Sequence, residues 1–133
     1  MKRVKGFVAG EGRNSWAGIH AKDLSAEIIM LMEDALAGVH GKASWGQDGV
    51  YYIEEGDYVF ADVVSKLVKV LKAESSIQTD EVDQESEGEV TSIHPYGLRA
   101  WGTNVRCRAA RLLALGRKPT QPSFYEILAS RLA

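Results

Sequence analysis

The sequence predicts an α/β fold with few short strands and about four helices, and three observations predict it. Leu24, Ile28, Leu31, Met32 and Ala35 recur at steps of three and four, so they share one face of an amphipathic helix. Phe60, Val63, Val64, Leu67, Val68 and Leu71 repeat the pattern more cleanly, with Asp62, Lys66, Lys69 and Lys72 left outside. Between them, Val50-Tyr51-Tyr52-Ile53 is a β-rich apolar run bounded by Gly49 and Gly56. Its unbroken apolarity predicts a strand covered on both faces, as in a parallel sheet.

In chain order, Lys5 to Ala9 reads as a strand, Gly10-Glu11-Gly12 as a turn and Ser15 to Ile19 as a second strand, the two forming a small hairpin. The first helix starts near Asp23, with His20 and Asp23 placed to satisfy its free N–H groups, and stops at Gly38. Val39 to Gly49, with three glycines (Gly41, Gly46, Gly49), reads as a loop. Asp57 is the start signal expected for the second helix. Burying that helix's six apolar side chains contributes roughly 9–18 kcal/mol before entropy is subtracted.

The stretch Glu74 to Glu89 holds seven acids (Glu74, Asp80, Glu81, Asp83, Glu85, Glu87, Glu89) and no base, and is expected to be a flexible loop. Val90 to Ile93 reads as a brief strand and Tyr96 to Trp101 as a short helical piece. Thr103 is expected to cap a helix from Asn104 to Leu115, stopped by Gly116 and Pro119. A last helix starts at Pro122-Ser123, with Phe124, Ile127, Leu128 and Leu132 on one face.

The 133 residues give room for one domain with a modest core, and 45% hydrophobic with 26% charged residues is ordinary for a globular protein. A net charge of −2 argues against nucleic acid as a partner. The seven bases between Arg99 and Ala133 (Arg99, Arg106, Arg108, Arg111, Arg117, Lys118, Arg131) are expected to neutralise the acidic stretch. Cys107 is the single cysteine, which fits a reducing compartment. The basic start Met1 to Lys5 is followed by no long apolar run, and no segment has the length of a membrane span, so the expected location is the cytoplasm.

Gly10, Gly12, Asn14, Trp16, His20, Asp23 and Leu24 form a segment of the type G-x-G-x-N-x-W-x-x-x-H-x-x-D-L. Further on come Gly102, Asn104, Arg106, Ala109, Arg111, Leu115-Gly116, Lys118-Pro119 and Pro122-Ser123. In that order the motifs resemble the atypical or extended short-chain dehydrogenase/reductases, the NAD(P)-dependent epimerase/dehydratase-like proteins, including their fungal-type members. The resemblance runs from about Gly6 to Leu132. It implies a single lobe: the incomplete C-terminal, substrate-side lobe of an extended Rossmann-type reductase, without the N-terminal dinucleotide-binding domain. Two positions depart from the family pattern. Arg117 replaces a usual Trp, and Val59 replaces a Ser or Thr cap, which weakens that helix start by about 1 kcal/mol.

The family's catalytic devices are absent from this sequence. No third glycine completes a dinucleotide-binding turn, and none of the five tyrosines has a lysine four residues later. No catalytic or cofactor-binding residue is therefore assigned, and NAD(P) is expected only in the complete family. The three histidines and Cys107 have no metal-ligand spacing, so no metal site is assigned either. The substrate-side candidates are Trp16, a pocket or a core residue; His20, a helix-start residue; and Asn104 with Arg106, and Arg108 beside them, for an anionic group near a helix start. A solvated basic face is the alternative for this last group. Expected partners are a chain carrying the missing cofactor domain, or a second copy, together with a small-molecule substrate; no membrane is expected. The rival reading is a small noncatalytic interaction module derived from the same lobe.

Overall fold

The computed structural model describes residues 5–132, so the basic start at Met1 to Val4 lies outside the described residues. The fold is mixed α/β, with four short strands and six helices among the described residues. These are β1 (Gly6–Ala9), β2 (Ser15–Gly18), α1 (Ala21–Leu36), β3 (Gly56–Val59), α2 (Phe60–Ala73), β4 (Val82–Glu85), α3 (Glu87–Ile93), α4 (Gly97–Trp101), α5 (Ala110–Ala114) and α6 (Phe124–Ser130). The chain divides into two compact units. The first holds the described residues up to Trp16, Asp57–Arg106 and those from Tyr125; the second holds Ala17–Gly56 and Cys107–Phe124.

In the first unit, β1 pairs in parallel with β4, Gly6 opposite Val82 and Ala9 opposite Glu85. The expected β1–β2 hairpin does not form, because Gly10-Glu11-Gly12 turns the chain away and β2 pairs with β3 instead. The middle of the acidic stretch, expected as loop, supplies β4. Lys5 makes that pairing tolerable for acids by holding Glu81 at 2.8 Å and Asp83 at 3.7 Å.

Helix α2 covers this ribbon. Phe60, Val64 and Val68 form its core with Val8, and Trp16, Ile77, Val82 and Trp101 pack around them. Gly6 lies so close to α2 that an added Cβ would sit 2.5 Å from Val68 Cγ1 and 3.0 Å from Val64 Cγ1. Asp57 does not start the helix: Val59 is the N-cap and gives it no side-chain bond. Backbone carbonyls of the glycine turn serve instead. The Phe60 N–H donates to the Asn14 carbonyl at 2.9 Å and the Ala61 N–H to the Gly12 carbonyl at 3.0 Å. This satisfies two of the helix's orphan donors without a Ser or Thr. Gly12 manages it at φ +64°, where a Cβ would meet Val8 and Ala61 at 2.9 Å.

Val90 to Ile93, expected as a strand, is the end of helix α3. The reason is a capping box that apolar patterning does not reveal: Ser86 accepts from the Glu89 N–H, and Glu89 accepts from the Ser86 N–H at 2.8 Å. Thr103 caps no helix; its hydroxyl donates back to the Arg99 carbonyl at 2.7 Å. Residues 104–109 are not helical, and the helix expected there shrinks to α5.

In the second unit, α1 matches its expected span, with His20 as N-cap accepting the Lys22 N–H. Its buried face is turned from the one expected: Leu24 and Leu31 are half-buried, but Ala35 is exposed. Asp23 and Glu27 are buried, whereas Ile28, Ile29, Met32 and Leu36 are exposed. Val50 to Ile53 forms no strand. Arg111 takes the Val50 carbonyl at 2.8 Å and stacks on Tyr51, 4.6 Å from the ring centroid, so this run is tied to a side chain and not to a ladder. Leu112 and Ala109 are the best buried apolar residues of this unit.

Candidate functional site

The glycine turn after β1 leads from a strand to a strand, and its polar groups are used locally. The Gly10 N–H donates to Glu85 at 2.9 Å, the Gly12 N–H to Ala9 at 3.1 Å, and the Gly12 carbonyl caps α2. A phosphate-cradling turn needs free N–H groups aimed out of a helix start; these N–H groups are occupied.

Just after that turn, the first unit closes a hydrogen-bonded seam. Asn14 is buried and its amide donates to the carbonyls of Trp101 at 3.0 Å and Thr103 at 3.2 Å. The Asn104 side chain accepts the Ser15 N–H at 2.9 Å, and the Trp16 indole N–H donates to Thr103 at 3.2 Å. A parallel bridge joins Trp16 to Val105, and the Trp16 ring lies 4.7 Å from that of Phe60. Arg106 follows directly, exposed, its guanidinium 3.6 Å from Asp57. Of the five residues singled out for substrate, this seam gathers Trp16, Asn104 and Arg106, while Arg108 falls in the second unit. Arg106 is not in a helix start, as expected, but in the irregular segment just after the Trp16–Val105 bridge. His20 belongs to the second unit.

Beside the seam, a cavity of about 350 Å³ opens between β1 and α2, lined by Phe7, Phe60, Val64, Leu67, Ile77 and Trp101, with Lys5 and Gly6 at its margin. Phe7 meets Trp101 edge-on at 5.2 Å. The lining offers an apolar ligand aromatic and branched surfaces. Lys5, already held by Glu81 and Asp83, has its charge compensated.

The second unit contains a buried charged cluster that sequence reading missed. Asp23 accepts from the Thr120 N–H and hydroxyl and from the Gln121 N–H, each at 3.0 Å. Burial alone would raise its pKa, but these bonds from Thr120 and Gln121 hold it below the ordinary carboxylate value. One turn on, Glu27 faces the Arg117 guanidinium in direct contact, both side chains buried. Glu27 Oε2 and Arg117 Nη2 have no hydrogen-bond partner among the described residues. Burial therefore outweighs Arg117 and pushes the Glu27 carboxyl above its ordinary value. Glu54, also buried, accepts the Ala109 N–H at 3.0 Å. The available signal was the acid pair at i and i+4 in α1 together with a lone Arg in the Gly116 to Pro119 turn. Among the described residues, no group of His, Cys, Asp or Glu has metal-binding geometry. No helix there is long and apolar enough to cross a membrane.

Compared with known proteins, the chain is 27% identical over 131 aligned residues to the oxidase ucsJ of an Acremonium species, covering 92% of this chain. The chain spans 37% of that relative's length. No family model matches, and no solved structure does.

Proposed function

We propose that this chain is the substrate-side lobe of an oxidoreductase of the NAD(P)-dependent epimerase/dehydratase-like type, acting with a dinucleotide-binding part formed by residues other than these. The observation that carries the reading is the match to an oxidase along 92% of this chain. The dinucleotide class rests on the motif order from Gly10 to Ser123. The occupied N–H groups of the Gly10–Gly12 turn support placing the dinucleotide elsewhere. Trp16, Asn104 and Arg106 are the candidates for substrate contact in the first unit, Arg106 for an anionic group. The chain alone carries out no redox step.

A fluorescence titration with NADH and NADPH tests the cofactor half: no saturable binding is expected, and one-to-one micromolar binding would overturn it. A graft tests the oxidoreductase half. Placed in the Acremonium oxidase instead of the segment it aligns with, the chain is expected to support that enzyme's turnover. A folded chimera without turnover favours the second reading, a noncatalytic interaction module, which the exposed apolar face of α1 makes specific.

A further inference from the structure

Helix α1 carries an apolar stripe on the outside. At about 100° per residue, Ile28, Ile29, Met32 and Leu36 fall within one stripe roughly 100° wide, together with Ala21 and Ser25. All six are exposed, Met32 by 59% and Leu36 by 87%. Soluble surfaces rarely leave such a stripe uncovered on a four-turn helix.

The stripe is complementary to itself. Its large residues Met32 and Leu36 occupy the C-terminal half, its small residues Ala21 and Ser25 the N-terminal half, and Ile28 and Ile29 the middle. Laid antiparallel about a two-fold axis between Ile28 and Ile29, Leu36 meets Ala21 of the second copy, Met32 meets its Ser25, and Ile28 meets its Ile29. Large side chains then face small ones at both ends, with the isoleucines meeting at the centre, so the two stripes interdigitate.

The charges agree with the same geometry. Lys22 and Glu33 border the stripe on one edge, near opposite ends, and both are exposed. A two-fold axis brings that edge of one helix beside the same edge of the other. Lys22 then lies about two residues, roughly 3 Å along the axis, from Glu33 of the second copy, within reach of both long side chains. The pair occurs twice. A parallel arrangement would set equal-sized residues level with each other and leave the charged edges on opposite sides of the interface.

We propose that α1 is a homotypic interface: two copies of this chain associate through antiparallel α1 helices, with the Ile28, Ile29, Met32 and Leu36 stripe as core and two Lys22–Glu33 pairs as borders. One helix face per copy is a small interface, so the association is weak and concentration-dependent. The inference is independent of the proposed chemistry.

Sedimentation velocity over a concentration series tests it on the full chain. A monomer–dimer equilibrium is expected. Lys22→Glu and Glu33→Lys each raise the dissociation constant about tenfold, and Lys22→Glu with Glu33→Lys together restore it. Met32→Lys abolishes the dimer while the far-ultraviolet circular dichroism stays unchanged, since the side chain is exposed. A monomer at every concentration would overturn the proposal, as would a dimer indifferent to these charges. A double variant as weak as either single one would also overturn it.

Discussion

Replacing Arg117 by Met removes the cation from the Glu27 pair and leaves a carboxylate at 4% exposure with nothing opposite it. Breaking a buried pair on one side costs about 3–5 kcal/mol, because the remaining charge keeps its desolvation penalty and loses its compensation. At about 2–5 °C per kcal/mol for a chain of this size, the melting temperature should fall by roughly 6–25 °C. The double variant Glu27→Leu with Arg117→Met removes both desolvation penalties and should recover most of that loss. The pH dependence is a second signature. The folded state holds the Glu27 proton above the ordinary value of 4.5. Between that value and the raised one, the folded state binds more protons than the unfolded, so its stability falls as pH rises. Removing Arg117 raises the folded value further, so the loss in Arg117→Met should be greater at pH 8 than at pH 5. Urea melts at both pH values measure it. A loss below about 1 kcal/mol, the worth of an exposed ion pair, would refute the reasoning. So would a double variant less stable than Arg117→Met.

Two further substitutions probe the first unit. Gly6→Ala drives a methyl against Val68 and Val64, whose branched side chains cannot swing away, and should cost about 1–3 kcal/mol in a thermal melt; an unchanged midpoint would show that β1 can lift off α2. Asn14→Ala leaves the Trp101 and Thr103 carbonyls without their amide donor and should cost about 1–3 kcal/mol, with a change in tryptophan fluorescence; an unperturbed spectrum would mean that Trp16 and Trp101 are placed without Asn14.

Helix α2 was legible because its period and most of its burial agree: Phe60, Val63, Val64 and Val68 are inside, whereas Leu67, expected inside, is exposed and Val70 is buried. The span of α1 was legible from the same periodicity, but its orientation was not. Hydrophobic patterning assumes that the apolar face turns inward, whereas in α1 bonds from Thr120 and Gln121 to Asp23, and Arg117 on Glu27, turn the acidic face in. These partners lie 90 to 98 residues away, beyond any local window. Val50 to Ile53 misled for a related reason: its composition is that of a strand, but a strand also needs a neighbour, and Arg111 holds its backbone instead. The acidic stretch hid β4 because Val82 is the sole apolar residue in that strand and its pairing depends on Lys5. At the site, the separate motifs around Trp16 and Asn104 were legible, but not that they close on each other.

That closure has a consequence for synthesis and dissection. Asn14 finds its acceptors 87 and 89 residues downstream, β1 finds β4 from Val82, and the Tyr125 hydroxyl accepts the Val59 N–H at 3.1 Å. During translation β1 therefore emerges long before β4, the strand it pairs with. Loop closure over such spans slows folding. Each unit is assembled from separated segments, so no single cut yields either one intact. Expressing residues 1–56 alone would release strands and an acidic helix face with none of their partners. A split pair of fragments, in contrast, should regain structure only when mixed.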